Sequence, residues 1–260
     1  MPAASDLHVV LGAGGAVGAS VVRELAARGH RVRAVNRGGR LPEVPGVEVP
    51  GVEIHRGDIT TVAGAKAACD GAQVVYHCAA PAYERWTQEF PPMTDAVRQG
   101  AATAGAKLVL ADNLYMYGPV TGPMTEDLPY AAANPQGRVR AEMAESLLAA
   151  HRSGELRVAL GRASDYYGPG GVNTGRQFLD LVFAELGRPG RTAALGRPVQ
   201  RLIGLFNPTV RALGETWYQR DRPFVSDTTK FTRTFGPFAA TPHSEAIAAT
   251  LAWYRANPTP

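Results

Sequence analysis

Residues 7–18 read Leu-His-Val-Val-Leu-Gly-Ala-Gly-Gly-Ala-Val-Gly, an apolar run that ends in four glycines within seven positions. Residues 16–28 follow with Val17, Val21, Val22 and Leu25 at helical spacing, and Gly29 stops the pattern. A strand, a tight turn and a helix in that order need glycine at fixed places. Gly12 permits the turn, Gly14 or Gly15 bares the backbone, and Gly18 lets the helix lie close to the strand. The start of such a helix offers unpaired N–H groups and a positive dipole end to an anion. Gly12, Gly14, Gly15, Ala16, Val17 and Gly18 are therefore the candidate residues for a dinucleotide pyrophosphate. An empty structural turn is the plainer alternative, and the strand-turn-helix context weighs against it.

The rest of the chain repeats the theme. Short β-branched runs at 31–35, 52–55, 73–78, 107–111 and 156–160 alternate with helix-like stretches at 62–69, 94–105 and 138–151. In the last of these, Met143, Leu147 and Leu148 face inward. This alternation predicts βαβ units and an α/β, Rossmann-type, doubly wound parallel sheet. Beyond Gly168 no strand alternates with the helical stretches at 176–186, within 199–219 and at 244–256, where Ile247, Leu251, Trp253 and Tyr254 are available for packing. Two parts are expected: a dinucleotide-binding domain over 1–172 and a small, mainly helical C-terminal substrate lobe over 173–260.

About 20 residues past the glycine loop, the end of the second strand selects the cofactor: an acid suits the 2′-hydroxyl of NAD, an arginine the 2′-phosphate of NADP. Here stand Asn36 and Arg37, with Arg40 close by and no acid before Glu43. Arg37 can hold a phosphate in a bidentate pair, so NADP is expected rather than NAD. A solvated surface charge is the other reading of Arg37. Asp58, in Gly57-Asp58-Ile59 after the third strand, either accepts from the adenine amino group or caps the following helix. Cys78, Ala79 and Ala80 after the fourth strand are small enough to lie along the cofactor.

Of 27 basic residues three are lysine, leaving 24 arginines scattered through an Ala-, Gly- and Pro-rich chain of net charge +4. No basic cluster interleaves with aromatics, so nucleic acid is not an expected partner. No apolar run reaches bilayer length, and residues 1–15 lead into a strand-like run, so no leader is expected. Cys69 and Cys78 form no metal or disulfide pattern, and the six histidines show no ligand spacing. A cytoplasmic setting, no metal, no membrane, a small-molecule substrate and a homodimer are expected.

With these residues placed, the chain resembles the extended short-chain dehydrogenase/reductase family, in its NAD-dependent epimerase/dehydratase group. The likeness rests on the Gly12–Gly18 loop, Gly57-Asp58-Ile59, Tyr117-Gly118-Pro119, Glu126-Asp127-x-Pro129, Gly161-Arg162, Tyr167-Gly168-Pro169-Gly170 and Thr241-Pro242. It is nearly continuous over 7–172. It also implies that tens of residues are missing before Thr174–Phe178, by deletion near Gly171–Thr174 or because the segment is absent from this sequence.

The resemblance implies a catalytic Ser or Thr after strand five and a Tyr-x-x-x-Lys pair, with the lysine lowering the tyrosine pKa. That pair is missing. The three lysines, Lys66, Lys107 and Lys230, are preceded four positions earlier by Val62, Thr103 and Ser226. Counting from the matched motifs, the Ser/Thr place falls on Asn113, the Tyr place on Gln136 and the Lys place on Arg140. Asn113 can still orient a carbonyl. Gln136 cannot act as an acid or base. Arg140 can bind a ribose or phosphate but cannot shuttle a proton. Substitutes at the same sheet edge are Asp112, Tyr115, Tyr117 and Tyr130, and beyond strand six Asp165, Tyr166 and Tyr167. Asp112 or Asp165 would be a base with a raised pKa; a loop-capping Asp112 and tyrosines that only pack are the plainer alternatives. Asn113, Asp112, Tyr117 and Asp165 are the candidate catalytic residues. Tyr83 and Trp86 line a pocket or cover the core.

The expected function is an NADP-binding reductase or epimerase on a small molecule, in secondary metabolism. The alternatives are a non-redox isomerase, lyase or cyclase on the same fold, and a non-catalytic dinucleotide-binding protein.

Overall fold

The computed structural model describes residues 6–41, 51–163, 175–193, 196–221, 224–238 and 241–256. Contacts divide the chain into two compact units: one from 1–42, 48–118 and 130–163, the other from 43–47, 119–129 and 164–260.

The first unit holds β1 (Leu7–Leu11), α1 (Ala16–Ala27), β2 (Arg31–Asn36), β3 (Val52–Arg56), α2 (Val62–Cys69), β4 (Val74–His77), α3 (Trp86–Thr103), β5 (Lys107–Asp112), α4 (Pro135–Arg152) and β6 (Arg157–Arg162). Its six strands are all parallel, in the order β3-β2-β1-β4-β5-β6. The expected Rossmann-type sheet is therefore present. Strand order reverses between β1 and β4, and that switch point opens a crevice at the carboxyl edge. Central β1 is buried along its whole length, as a strand covered by helices on both faces must be. One core joins Val9 and Leu11 to Phe90, Val97, Leu108, Met143 and Leu147; a second, under α1, joins Val10, Val22, Leu25 and Val32.

Two helices start earlier than their periodicity predicts. In α4, the Asn134 side chain accepts from the Gly137 N–H at 2.6 Å and Pro135 follows in the first turn, a strong start signal. In α3, Pro91 and Pro92 read as breakers, yet the helix begins at Trp86 and runs through both. Burial of Trp86, Phe90 and Met93, each contributing about 1.5–3 kcal/mol, offsets the lost backbone bonds. Short 3-10 turns at Tyr83–Arg85 and Tyr115–Tyr117 follow β4 and β5.

The second unit contains α5 (Gly175–Glu185), α6 (Arg197–Gly204), α7 (Pro208–Gly214), α8 (Tyr218–Asp221), α9 (Thr229–Phe235) and α10 (His243–Ala256). Helix α9 has no counterpart among the sequence-based expectations. Ile247 on α10 is buried, whereas Tyr254 is exposed. Within this unit Met124 pairs with Ser226 in a single parallel bridge. The described part is mainly helical, as expected. The turn Tyr167–Gly170 and the suspected deletion point lie outside the described residues.

Candidate functional site

The glycine loop is built as its spacing requires. Gly12 adopts φ +82°, where a side chain is strained, and a Cβ there would stand 2.6 Å from the Ala79 backbone. At Gly18 a Cβ would stand 2.3 Å from the Gly12 carbonyl oxygen, so α1 can meet the loop only with glycine there. Gly14 and Gly15 differ: added Cβ atoms would find nothing nearer than 3.7 Å and 3.5 Å. Their outer surface is open, and α1 starts immediately after them. Ala16 is exposed and Val17 half-buried in that first turn, with N–H groups in the orphan positions of a helix start. Gly12 and Gly18 therefore shape the loop, while Gly14, Gly15 and the first turn of α1 present it.

A cleft of about 280 Å³ runs from this loop across the carboxyl ends of the first four strands. Its lining includes Gly12, Gly14, Gly15, Asn36, Arg37, Asp58, Ile59, Cys78, Ala79 and Ala80. Thr60, Pro81, Arg85, Glu89 and Met93 also line it, and nothing in the motif analysis singles them out. Asn36 is committed to the local turn: its Oδ1 accepts from Gly39 N–H at 2.7 Å and its Nδ2 donates to the Arg40 carbonyl at 2.9 Å. Arg37 is exposed at the cleft margin. Asp58 Oδ1 accepts from the Thr60 N–H and hydroxyl at 3.0 and 2.8 Å. The N–H bond lowers the Asp58 pKa most, the hydroxyl bond follows, and Arg37 adds to the effect. The cap of α2 is Thr61, which accepts from Gly64 N–H, so the helix-capping alternative for Asp58 is corrected. Cys78 is half-buried, and burial pushes its thiol up to about 12.

The ends of β5 and β6 carry a second constellation. Asp112 and Arg162 are register partners and close their strands together. Asp112 is 2% exposed; its carboxylate accepts from Arg140 Nη1 at 3.2 Å and Arg162 Nε at 3.5 Å. The Arg140 guanidinium lies 4.4 Å from the ring centres of both Trp86 and Phe90. Arg162 Nη1 donates to the Tyr117 hydroxyl at 2.6 Å, and its Nη2 donates to the Tyr130 hydroxyl. Burial pushes the Asp112 carboxyl upward; Arg140, the Asn113 N–H and Arg162 pull it back.

This arrangement corrects several expectations. Asp112 is an ion-pair centre and not an accessible base. Tyr117 is buried, its hydroxyl held by Arg162. Arg140 faces Asp112 and the aromatic rings and is absent from the cleft lining, so a ribose contact has no geometric support. Gln136 is buried too, with its Oε1 unpartnered among the described residues. Trp86 belongs to the core. Asn113 is half-buried, and its Oδ1 accepts from Tyr115 N–H at 3.1 Å, leaving the amide N–H₂ as its donor. His77 lies wholly inside, with Nε2 3.3 Å from Thr94 Oγ1. Burial, and then Arg140, lowers its pKa to about 3. Asp165 lies outside the described residues. Among the described residues no group of His, Cys, Asp and Glu could hold a metal ion.

The family model described as NAD dependent epimerase/dehydratase family matches residues 8–228. The chain belongs to that family. Its fold is shared with solved structures at low identity. The dTDP-glucose 4,6-dehydratase DesIV from Streptomyces venezuelae, solved with NAD and TYD, is 20% identical with a TM-score of 0.68, covering 96% of this chain and 97% of its own. MoeE5, in complex with UDP-glucuronic acid and NAD, is 21% identical with a TM-score of 0.64, covering 97% and 99%. The Bordetella bronchiseptica enzyme WbmH, in complex with NAD+, is 16% identical with a TM-score of 0.64, covering 96% and 98%. No curated protein matches the sequence.

Proposed function

We propose that the chain is an NADP-binding enzyme that reduces or epimerises a small hydroxyl- or carbonyl-bearing molecule. The observation that carries this reading is the cleft, where an open glycine loop at a helix start and the exposed Arg37 line one crevice at the carboxyl ends of the strands. The glycine loop would hold the pyrophosphate, Arg37 the 2′-phosphate, and Asp58 or Ile59 the adenine edge. When bound, the nicotinamide supplies or accepts a hydride. The half past the switch point would extend toward β5, where the Asn113 amide can donate to a substrate oxygen. Trp86, Phe90 and the ion pair are buried near the end of β5, and the Asn113 side chain is held by the Tyr115 N–H. The reading predicts that NADP(H) is recovered from protein denatured after purification, identified by mass spectrometry. A panel of carbonyl compounds and nucleotide sugars, the latter prompted by the ligands of DesIV and MoeE5, would then be screened for absorbance change at 340 nm. Protein that neither carries nor binds a nicotinamide dinucleotide would overturn it.

A second reading is favoured by one observation. Gln136 and Arg140 stand where the resemblance places the proton-transfer pair, and both are locked in the interior. A non-catalytic dinucleotide-binding protein would need nothing more. It would bind NADP(H) and give no turnover with any member of the panel.

A further inference from the structure

Among the described residues the cleft lining has four charged side chains: Arg37 and Asp58, which follow β2 and β3, and Arg85 and Glu89, which follow β4. In the strand order β3-β2-β1-β4 the glycine loop at the end of β1 lies between the two sets. Each side of the loop thus has one arginine and one carboxylate. Arg85 closes the 3-10 turn Tyr83–Arg85 and is the N-cap residue of α3. Its N–H donates to the Ala82 carbonyl at 2.8 Å. The next residue, buried Trp86, donates its indole N–H to the Pro81 carbonyl at 3.2 Å. The backbone at Arg85 is therefore tied down on both sides. Its side chain is exposed and donates to Glu89 Oε1 at 2.8 Å. An i,i+4 pair in contact with solvent holds weakly. An arginine at the N-cap also stands at the positive end of the helix dipole, where a cation is disfavoured. Glu89 is the acid in the first turn of α3 that offsets it.

We propose, resting on the dinucleotide reading above, that Arg85 binds the pyrophosphate from the β4 side of the glycine loop and that Glu89 is the latch that holds Arg85 when no anion is bound. Glu89 engages Arg85 through one bond, from Nη1 to Oε1. A phosphate group can accept two parallel bonds from the same guanidinium. Exchanging the carboxylate for phosphate needs only rotation of the side chain, because Ala82 and Trp86 keep the backbone in place. Arg37 and Arg85 then divide the recognition between them. The 2′-phosphate distinguishes NADP from NAD, whereas the pyrophosphate is common to both. Arg37 sets the choice between the dinucleotides, and Arg85 sets the affinity for either one.

The test needs no knowledge of the substrate. NADPH and NADH are titrated by fluorescence into the full-length wild type, Arg85→Gln, Arg85→Lys and Glu89→Gln, with thermal unfolding read on each. Arg85→Gln removes the charge from an exposed side chain. It is expected to weaken both dinucleotides by the same factor, about tenfold or more, and Arg85→Lys is expected to recover part of that loss. Glu89→Gln releases the latch and is expected to tighten both, a gain that no damage to the fold can imitate. Unchanged affinity in Arg85→Gln overturns the proposal. So does a loss confined to NADPH, which would give Arg85 the 2′-phosphate instead, and so does weaker binding in Glu89→Gln, which would make Glu89 a ligand-binding group. A wild type that binds neither dinucleotide refutes the functional reading itself. A wild type that binds them, with Arg85→Gln unaffected, refutes only the role of Arg85.

Discussion

Arg140 Nη1 donates to Asp112 Oδ1 across 3.2 Å, with the two side chains 7% and 1% exposed. Two residues singled out as candidates for chemistry thus hold each other inside the protein. Removing one partner of a buried pair leaves an uncompensated charge and costs about 3–5 kcal/mol. Asp112→Ala, which abandons two guanidiniums, is expected to lose that much in urea unfolding. Arg140→Lys keeps the charge but gives up the planar face on Trp86 and Phe90, and is expected to lose about 1–2 kcal/mol. An unfolding midpoint at the wild-type value in both variants would show that the pair is not structural.

Arg37 should decide between the two nicotinamide dinucleotides. A charge-assisted bond to phosphate is worth about 1.5–3 kcal/mol, so Arg37→Ala is expected to weaken NADPH at least about tenfold and leave NADH nearly unchanged. Fluorescence titration of both dinucleotides against both proteins provides the measurement. Equal affinities in the wild type would remove Arg37 from the argument.

The glycines of the loop should separate into two kinds. Gly18→Ala drives a methyl into the Gly12 carbonyl and is expected to cost about 1–3 kcal/mol of stability. Gly14→Ala has room for its methyl, so stability should hold while dinucleotide affinity falls. Thermal unfolding read beside NADPH titration distinguishes the two; equal thermal losses would contradict the assignment.

His77 predicts a particular acid sensitivity. Its pKa is near 3 in the fold, lowered from 6.5 by burial and then by Arg140. Between those values the unfolded chain carries the extra proton, so stability falls as the pH drops through that window and levels off below it. The slope approaches about 1.4 kcal/mol per pH unit. From about pH 6 to pH 4, wild type should lose about 2 kcal/mol more than His77→Leu. Parallel pH profiles of the two proteins would show that His77 is not the group responsible.

The sheet was legible because its signals are local. Leu7–Leu11 and Lys107–Asp112 declare themselves by β-branched and apolar runs, and the Gly12–Gly18 loop by spacing alone. The start of α3 was not legible, because Pro91 and Pro92 argue against helix locally and only the tertiary burial of Trp86 and Phe90 overrules them. The cleft positions Gly14, Arg37, Asp58 and Ala79 could be placed because each follows a recognisable strand. The Asp112 cluster could not. Its members are 28 and 50 residues apart, and nothing local says that a carboxylate at a strand end points inward to arginines. One clue was available: Asp112 and Arg162 are the last residues of neighbouring strands, so parallel pairing alone would have set them side by side.

Neither Arg140 nor Arg162 can surrender its proton at any acidity the fold survives. A lysine in the same place could be silenced by alkali or by its surroundings; these two cannot. The two positive charges at the ends of β5 and β6 are therefore fixed, and the Asp112 carboxyl between them, raised by burial, is the member of the ion pair that acid can still change. An inflection on the alkaline side of a rate profile would accordingly come from some group other than these two guanidiniums.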